Sequence, residues 1–156
     1  RRTVDEEVCE IDLDHTLDEA VKMARRATVL DQIQVVTQYE AALLVRGKPD
    51  ALLQVFVNLV TNAVQAMEGA GTLTLATTAA NGFVQATVQD TGPGIPHNNL
   101  SRIFDPFFTT KEQGKGTGLG LHIVRDIVTN CGGQITAEST LGRGATFTVK
   151  LPASTQ

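Results

Sequence analysis

The sequence predicts a two-layer α/β sandwich, in which helices cover one face of a mixed β-sheet. Two observations lead to this fold class. Segments with the period of a strand occur in pairs, and segments with the period of a helix separate those pairs. Apolar and polar residues also alternate in residues 72–79, as in a strand that buries one face only. The other face of the sheet is therefore expected to meet solvent.

Three segments have the apolar spacing of helices: residues 16–30, 50–67 and 119–130. The first starts with Thr16 and, three residues on, Glu19, which is the pattern of a capping box. The second is apolar over most of its surface and is predicted to be largely buried. Glycines follow the second and third segments and are expected to end them.

Six segments are predicted to be strands, namely residues 33–39, 42–46, 72–79, 83–89, 134–138 and 145–151. Residues 80–82 (Ala-Asn-Gly) are a turn signal that predicts a hairpin between the third and fourth strands. Residues 141–144 are expected to join the last two strands in the same way.

Residues 90–118 contain eight glycines or prolines. A short helix at Leu100–Phe104 is predicted to interrupt this stretch. A loop of such length in a compact domain is usually functional or disordered, and we interpret it as a lid.

Length and composition limit the class of protein. A chain of 156 residues suits one domain, 1–156, and 42% hydrophobic with 19% charged residues is typical of a soluble globular protein. A net charge of −4 argues against nucleic acid as a partner. No apolar run approaches the 18 or so residues of a membrane-spanning helix. The histidines and cysteines show no metal-ligand spacing.

Asn58 and Asn62 lie four residues apart and therefore on one face of the second helix. Buried amides need partners, because an unpaired polar group costs on the order of 1–3 kcal/mol. Such amides can bond to neighbouring backbone. Alternatively, an amide oxygen can face a hard cation such as Mg²⁺, which usually shares its oxygen ligands with phosphates. The spacing alone leaves both interpretations open.

Asp90 ends a predicted strand and is followed by residues 91–95 (TGPGI). An acid in this position can simply cap a turn. The two glycines, however, would let the backbone approach a flat ligand closely. The carboxylate could then accept a hydrogen bond from an exocyclic amine such as that of adenine.

Residues 114–121 (GKGTGLGL) form a glycine-rich loop that runs into the third helix. Its backbone N–H groups suit a phosphate, although the loop lacks the Lys-Ser/Thr ending of a P-loop and the strand context of a Rossmann fold. Residues 104–111 (FDPFFTTK) place three of the six phenylalanines in a polar loop, where they predict an apolar plug that seats the lid. Lys111 and Lys115 are either phosphate contacts or solvated lid charges.

In their order along the chain these four motifs resemble those of the Bergerat-fold (GHKL) ATPases, and most closely the catalytic ATP-binding domains of sensor histidine kinases. Residues 58–63 (NLVTNA) resemble the N box and residues 90–95 the first glycine box. Residues 104–111 resemble the phenylalanine box, and residues 116–121 (GTGLGL) the second glycine box. The resemblance extends over residues 12–152.

The resemblance implies that ATP or ADP binds together with Mg²⁺. Asn62 would be the metal ligand, and Asp90 would bind the adenine amino group with a water held near Thr146. Asn58 and Lys111 would have the catalytic roles at the phosphates. A lid at about residues 98–116 would close over the triphosphate. The implied nucleotide contacts are Asn58, Asn62, Asp90, Gly92, Gly94, Ile95, Lys111, Gly116, Thr117, Gly118, Leu119, Gly120, Leu121 and Thr146. Ile95, Leu121 and Phe147 would form apolar walls.

The residue at position 58 indicates which branch of the family the chain resembles. The hydrolytic members (gyrase B, the mismatch-repair ATPase and the heat-shock chaperone) resemble one another in carrying a glutamate there to activate water. An amide cannot act as a general base, so the γ-phosphoryl is expected to be kept for an acceptor other than water. The resemblance therefore favours a protein histidine kinase.

Two features depart from the family pattern. Gln65 stands where many members carry a lysine, so one phosphate contact is missing or has moved to Lys111, Lys115 or Arg102. None of the three histidines lies in a phosphoacceptor box. We therefore expect the dimerisation and phosphoacceptor domain to be absent from this chain, which would not phosphorylate itself.

The resemblance also implies partners for the parent protein. Its γ-phosphoryl would pass to a histidine on its own dimerisation and phosphotransfer domain, and then to a response regulator. The isolated domain is expected to be monomeric and cytoplasmic, in a parent that can be membrane-anchored. The alternatives are a hydrolytic GHKL ATPase and a nucleotide-dependent regulatory module such as an anti-sigma serine kinase.

Overall fold

The computed structural model describes residues 7–27, 30–40, 43–108 and 120–154. The elements follow in the order β1 (Cys9–Asp12), α1 (Leu13–Ala27), β2 (Gln32–Gln38), β3 (Leu44–Gly47), α2 (Pro49–Met67), β4 (Ala70–Ala80), β5 (Phe83–Gln89), α3 (His97–Leu100), α4 (Leu121–Asn130), β6 (Gln134–Ser139) and β7 (Ala145–Pro152).

Five strands form one mixed sheet in the order β2-β4-β5-β7-β6. The β2 and β4 strands are parallel, and the other three pairs are antiparallel. The β4–β5 hairpin turns at Asn81 and Gly82, which both have positive φ, as a two-residue hairpin turn of this type requires. The predicted mixed sheet and both predicted hairpins are confirmed.

The helices cover one face of this sheet. The inward residues of β4, β5 and β7, such as Leu75, Val88 and Val149, share one buried core with Phe56 of α2 and Val124 of α4. The alternate positions, including Gln85, Thr148 and Lys150, line a shallow polar depression on the opposite face. The predicted two-layer sandwich, with one face of the sheet polar, is therefore confirmed.

β1 was not predicted, and β3 lies outside the five-stranded sheet. β3 pairs antiparallel with β1 in a separate two-stranded sheet and does not join β2. A bridge between Val45 and Ala153, together with a hydrogen bond from the Ser154 N–H to the Leu44 carbonyl oxygen at 2.8 Å, links this small sheet to the segment after β7. Four residues with one buried side chain carry too little alternation for β1 to be recognised from sequence.

The start of the first helix was also predicted wrongly. α1 begins at Leu13, and the Asp12 carboxylate accepts hydrogen bonds from the backbone N–H groups of Asp14 (3.1 Å) and His15 (3.5 Å). Asp12 is thus the N-cap. Thr16 is buried one turn into the helix, and its hydroxyl donates to the Asp12 carbonyl oxygen at 3.3 Å.

The other helices agree more closely with their predicted ranges. α2 starts with Pro49 at its first turn and ends at Glu68 and Gly69, which both have positive φ. The short helix of the lid begins after Pro96 and so lies three residues before its predicted position. α4 begins at Leu121, after Gly120, and ends before Gly132. No helix in the described ranges is long and apolar enough to cross a membrane.

Replacing Asp12 by alanine tests the corrected start of α1. The loss of the cap should lower the free energy of unfolding by about 1 kcal/mol, because two N–H groups lose their acceptor. Urea titration followed by circular dichroism measures the change. The exposed Asp126 of α4 provides the control variant Asp126→Ala, and equal effects of the two substitutions would contradict the capping role.

Candidate active site

Asp90 continues the inward alternation of β5 and is almost fully buried, with 4% of its surface exposed. Its backbone N–H donates to the Ala145 carbonyl oxygen at 2.9 Å, which extends the β5–β7 pairing by one residue. One carboxylate oxygen accepts the Gly92 N–H at 2.8 Å. Burial raises the pKa of Asp90, and the hydrogen bonds with Gly92 and Ala145 oppose that rise. The site therefore holds an inward carboxylate in a poorly solvated position.

Thr91 anchors the loop that follows, and sequence reasoning gave it no role. Its hydroxyl accepts the Thr72 N–H at 3.0 Å and donates to the Met67 sulfur at 3.6 Å. It therefore joins the loop to the end of α2 and the start of β4. The only signal in the sequence was its position directly after Asp90.

The two glycines of the loop lie against the chain's own backbone. A Cβ atom added at Gly92 would lie 2.9 Å from the Ala66 carbonyl oxygen, and one at Gly94 would lie 2.6 Å from the Thr140 carbonyl oxygen. Gly94 also has a φ of +83°. The structure thus requires these glycines for internal packing, a reason that differs from the close approach of a ligand predicted from the sequence.

The turn between β6 and β7 is docked on the same loop. The Gly142 N–H donates to the Pro93 carbonyl oxygen at 2.7 Å. Gly144, with a φ of +94°, passes so close to Asp90 that an added Cβ would lie 2.0 Å from the Asp90 carbonyl oxygen. Asp90 is therefore enclosed from both sides, by its own loop and by this turn.

Asn58 and Asn62 lie on one face of α2, as predicted. Asn58 is buried, with 3% of its surface exposed, and Asn62 is half-buried. Ala66, which contacts the position of Gly92, is one turn further along the same face. One helical turn rises about 5.4 Å, so the two amides lie roughly one and two turns from the Asp90 loop. α2 thus places the two amides near the loop that carries the Asp90 carboxylate.

The base of the predicted lid, residues 98–108, packs on the core through two of its phenylalanines. Phe104 makes an edge-to-face contact with Phe147 of β7, with ring centroids 6.3 Å apart, and the Arg125 guanidinium lies 5.7 Å from the Phe104 ring centre. Phe108 is half-buried beneath Arg102, whose guanidinium lies 5.0 Å from the ring centre. These contacts agree with the predicted plug.

Phe107 does not join that plug. It is 97% exposed and has a φ of +70°.

A comparison with protein-family models identifies the family. Residues 47–155 match the family of histidine kinase-, DNA gyrase B- and HSP90-like ATPases. The chain belongs to this family. It is a nucleotide-binding domain of the histidine-kinase type, as the resemblance predicted.

Relatives and solved structures agree. The sensor histidine kinase ZraS of Klebsiella oxytoca is 37% identical over 148 residues, which cover 94% of this chain and 32% of ZraS. The two-component sensor PprA of Pseudomonas aeruginosa is 47% identical over 117 residues, which cover 70% of this chain and 13% of PprA. The chain thus spans a third or less of these relatives. The catalytic domain of the histidine kinase ThkA superposes with a TM-score of 0.83 at 32% identity, over 94% of this chain and 95% of that one.

The structure describes some of the remaining predicted site residues of this histidine kinase domain and leaves others outside the described ranges. Ile95 and Leu121 are half-buried against the core, and Gly120 is exposed before α4. Five predicted nucleotide contacts lie outside the described residues, namely Lys111, Gly116, Thr117, Gly118 and Leu119.

Thr146 lies on β7 directly after Ala145, whose carbonyl oxygen accepts the Asp90 N–H. Thr146 pairs with Gln89 and Glu138, whose side chains point to the polar face of the sheet, whereas Ala145 and Phe147 point inward. The inward residue opposite Asp90 is therefore Ala145. The role of Thr146 in holding a water beside adenine therefore stays a prediction.

The pKa shift of Asp90 predicts that this domain is stabilised by Asp90→Asn at neutral pH. Because the folded pKa lies above the ordinary value of 3.8, the folded state binds this proton more strongly than the unfolded state. Ionisation therefore destabilises the fold, and stability falls as pH rises through the raised pKa. Asparagine stays neutral and can still accept the Gly92 N–H.

Thermal unfolding between pH 7 and pH 4 measures this effect. The melting temperature of Asp90→Asn should exceed that of the parent at pH 7, by about 2–4 °C for each kcal/mol relieved. The difference should shrink as pH falls towards 3.8, because the parent carboxyl is then protonated in the folded state and increasingly protonated in the unfolded state. Asp126→Asn is the exposed control, and a constant difference at all pH values would contradict the assignment.

Alanine substitutions at the two glycines of the β6–β7 turn can distinguish the cost of backbone strain from the cost of close packing. Gly142 and Gly144 both have positive φ, so alanine at either position should cost roughly 1–2 kcal/mol of strain. Only at Gly144 would the added methyl meet backbone, and overpacking typically costs a further 1–3 kcal/mol or so. Urea unfolding should show a larger loss for Gly144→Ala than for Gly142→Ala. Equal losses would show that the turn does not press on Asp90.

Proposed function

We propose that this domain binds Mg-ATP and, in its parent protein, presents the γ-phosphoryl group to a histidine on a separate helical domain. The single observation that carries the proposal is the buried Asp90 carboxylate at the end of β5. A carboxylate that is shielded from water can accept a hydrogen bond from the neutral amino group of a flat base. Such a hydrogen bond is stronger inside a protein than in water. The family match to residues 47–155 supports ATP as that ligand.

The proposed metal site is at Asn62. An amide oxygen is a hard ligand of the kind that Mg²⁺ takes, and Asn62 is half-buried one turn from the Asp90 loop. When bound, Mg²⁺ would neutralise charge on the phosphates. Asn58 would stay beside them as a neutral, buried group. Lys111 and the loop at 116–121 are proposed as further phosphate contacts.

Asn58 favours transfer to a protein acceptor over hydrolysis. An amide has no basic lone pair with which to take a proton from water, so the domain contributes positioning and charge neutralisation instead. A histidine nucleophile supplies its own lone pair. The proposed acceptor is a histidine on the dimerisation domain, and a response regulator is the proposed next partner. The histidine kinase ThkA, whose structure in complex with the response regulator TrrA matches at a TM-score of 0.80 and 28% identity, supports a response regulator as a partner.

The decisive experiment mixes this domain with the helical segment of its parent and radiolabelled ATP. The expected product is an acid-labile, base-stable label on a histidine of the helical segment. Steady phosphate release from the domain alone, without label transfer, would support the hydrolytic alternative. A label on a serine of another protein would support the anti-sigma type.

The metal role of Asn62 has its own test. Asn62→Ala should remove most of the difference between ATP affinities measured with Mg²⁺ and with a chelator, as followed by calorimetry. Gln54→Ala changes an exposed amide two turns earlier on the same helix and should leave that difference intact. An unchanged magnesium dependence in Asn62→Ala would overturn the assignment.

A further inference from the structure

The hydroxyl group of Ser139, at the end of β6, joins the two segments that enclose Asp90. It accepts the Ile95 N–H at 2.6 Å and donates to the Gly144 carbonyl oxygen at 2.8 Å. Ile95 ends the loop that starts at Asp90, and Gly144 lies directly on the Asp90 carbonyl oxygen. One hydroxyl thus joins the end of the Asp90 loop to the residue that packs on the Asp90 backbone.

We propose that Ser139 is a positioning residue for recognition of the base. It would set the place of the Asp90 carboxylate and of the Ile95 backbone without touching the nucleotide. This inference rests on the proposed function, because it assumes that Asp90 reads the amino group of adenine.

The geometry of Ser139 is tightly constrained. Its hydroxyl donor and one of its acceptor positions are both in use, so the oxygen has one preferred orientation. The oxygen also lies 2.9 Å from the place that a Cβ at Gly94 would take, so the loop packs directly on it. A shift of Ser139 would therefore be passed on to residues 94 and 95.

The loop has other attachments that do not depend on Ser139. Thr91 joins the loop to β4 and α2. The carbonyl oxygen of Pro93, in the loop, accepts the N–H of Gly142, in the turn between β6 and β7. Loss of the Ser139 hydroxyl is therefore expected to leave the loop attached but less accurately placed. Its effect should be on selectivity for the base, and less on folding.

The test is Ser139→Ala, with dissociation constants measured by calorimetry for ATP and for purine riboside triphosphate, which lacks the 6-amino group. The constant for ATP should rise about three- to tenfold, the amount expected for one or two net hydrogen bonds. The constant for the analogue should change less than about twofold, since the analogue makes no bond to Asp90. A purely structural role would weaken both ligands equally, and that result, or no change in either, would overturn the proposal.

Two further serine variants keep the test decisive. Ser139→Thr retains the hydroxyl and should show the same selectivity for ATP as the parent. If Ser139→Ala does not fold, Ser139→Cys, nearly the same shape but a weaker hydrogen-bonding group, should show the same loss of selectivity. An unchanged ratio of the two constants in Ser139→Cys would then overturn the proposal.

Two controls separate this proposal from the function on which it rests. Ser154→Ala removes a serine hydroxyl that donates to the Glu10 carboxylate in another part of the molecule, and should leave the ratio unchanged. Asp90→Asn should remove the preference for ATP. If it does not, the adenine assignment itself fails. If it does while Ser139→Ala keeps the full preference, only the role of Ser139 fails.

Discussion

The burial of the Asp90 carboxylate is the constraint on which the arrangement of the site depends. The alternation of β5 turns residue 90 inward, where the surrounding core would exclude a charge unless neighbouring groups compensated for it. The Gly92 N–H donates to the carboxylate, and hydrogen bonds with Gly92 and Ala145 lower its pKa. Gly144 packs on the backbone carbonyl oxygen of the same residue. Since burial still raises its pKa, the domain retains a carboxylate that lowers its own stability. A cost of this kind is typical of functional sites, where binding is favoured over folding.

The core of the sandwich places the other parts of the site relative to that carboxylate. Phe56 and its buried neighbours anchor α2 in the core. Near the C-terminal end of the helix, Ala66 contacts the Asp90 loop, and Asn62 lies one turn before Ala66. On the other side, Phe147 of β7 receives Phe104 from the base of the lid. The sheet and α2 therefore hold the carboxylate and the amides, whereas the segment predicted to be the base of the lid is attached through aromatic contacts.

Much of this could be predicted from the sequence, because the strong signals are periodic. The long helix at 50–67, the hairpin at 80–82 and the mixed sheet all follow from spacing and turn residues. The errors lie where a few residues decide the outcome: β1 has only four residues, and Asp12 competes with Thr16 as a cap. The roles of Thr91 and Ser139 could not be predicted, since they depend on contacts between distant segments.

In the proposed function, a buried carboxylate at residue 90 binds the amino group of adenine at the expense of stability. The most direct measurement is a calorimetric titration of the folded domain with Mg-ATP, before and after Asp90→Asn. We expect clear binding by the parent and a much higher dissociation constant for the variant, close to that of the analogue without the 6-amino group, although the variant is the more stable protein at pH 7. Equal affinities in the two proteins would contradict this expectation.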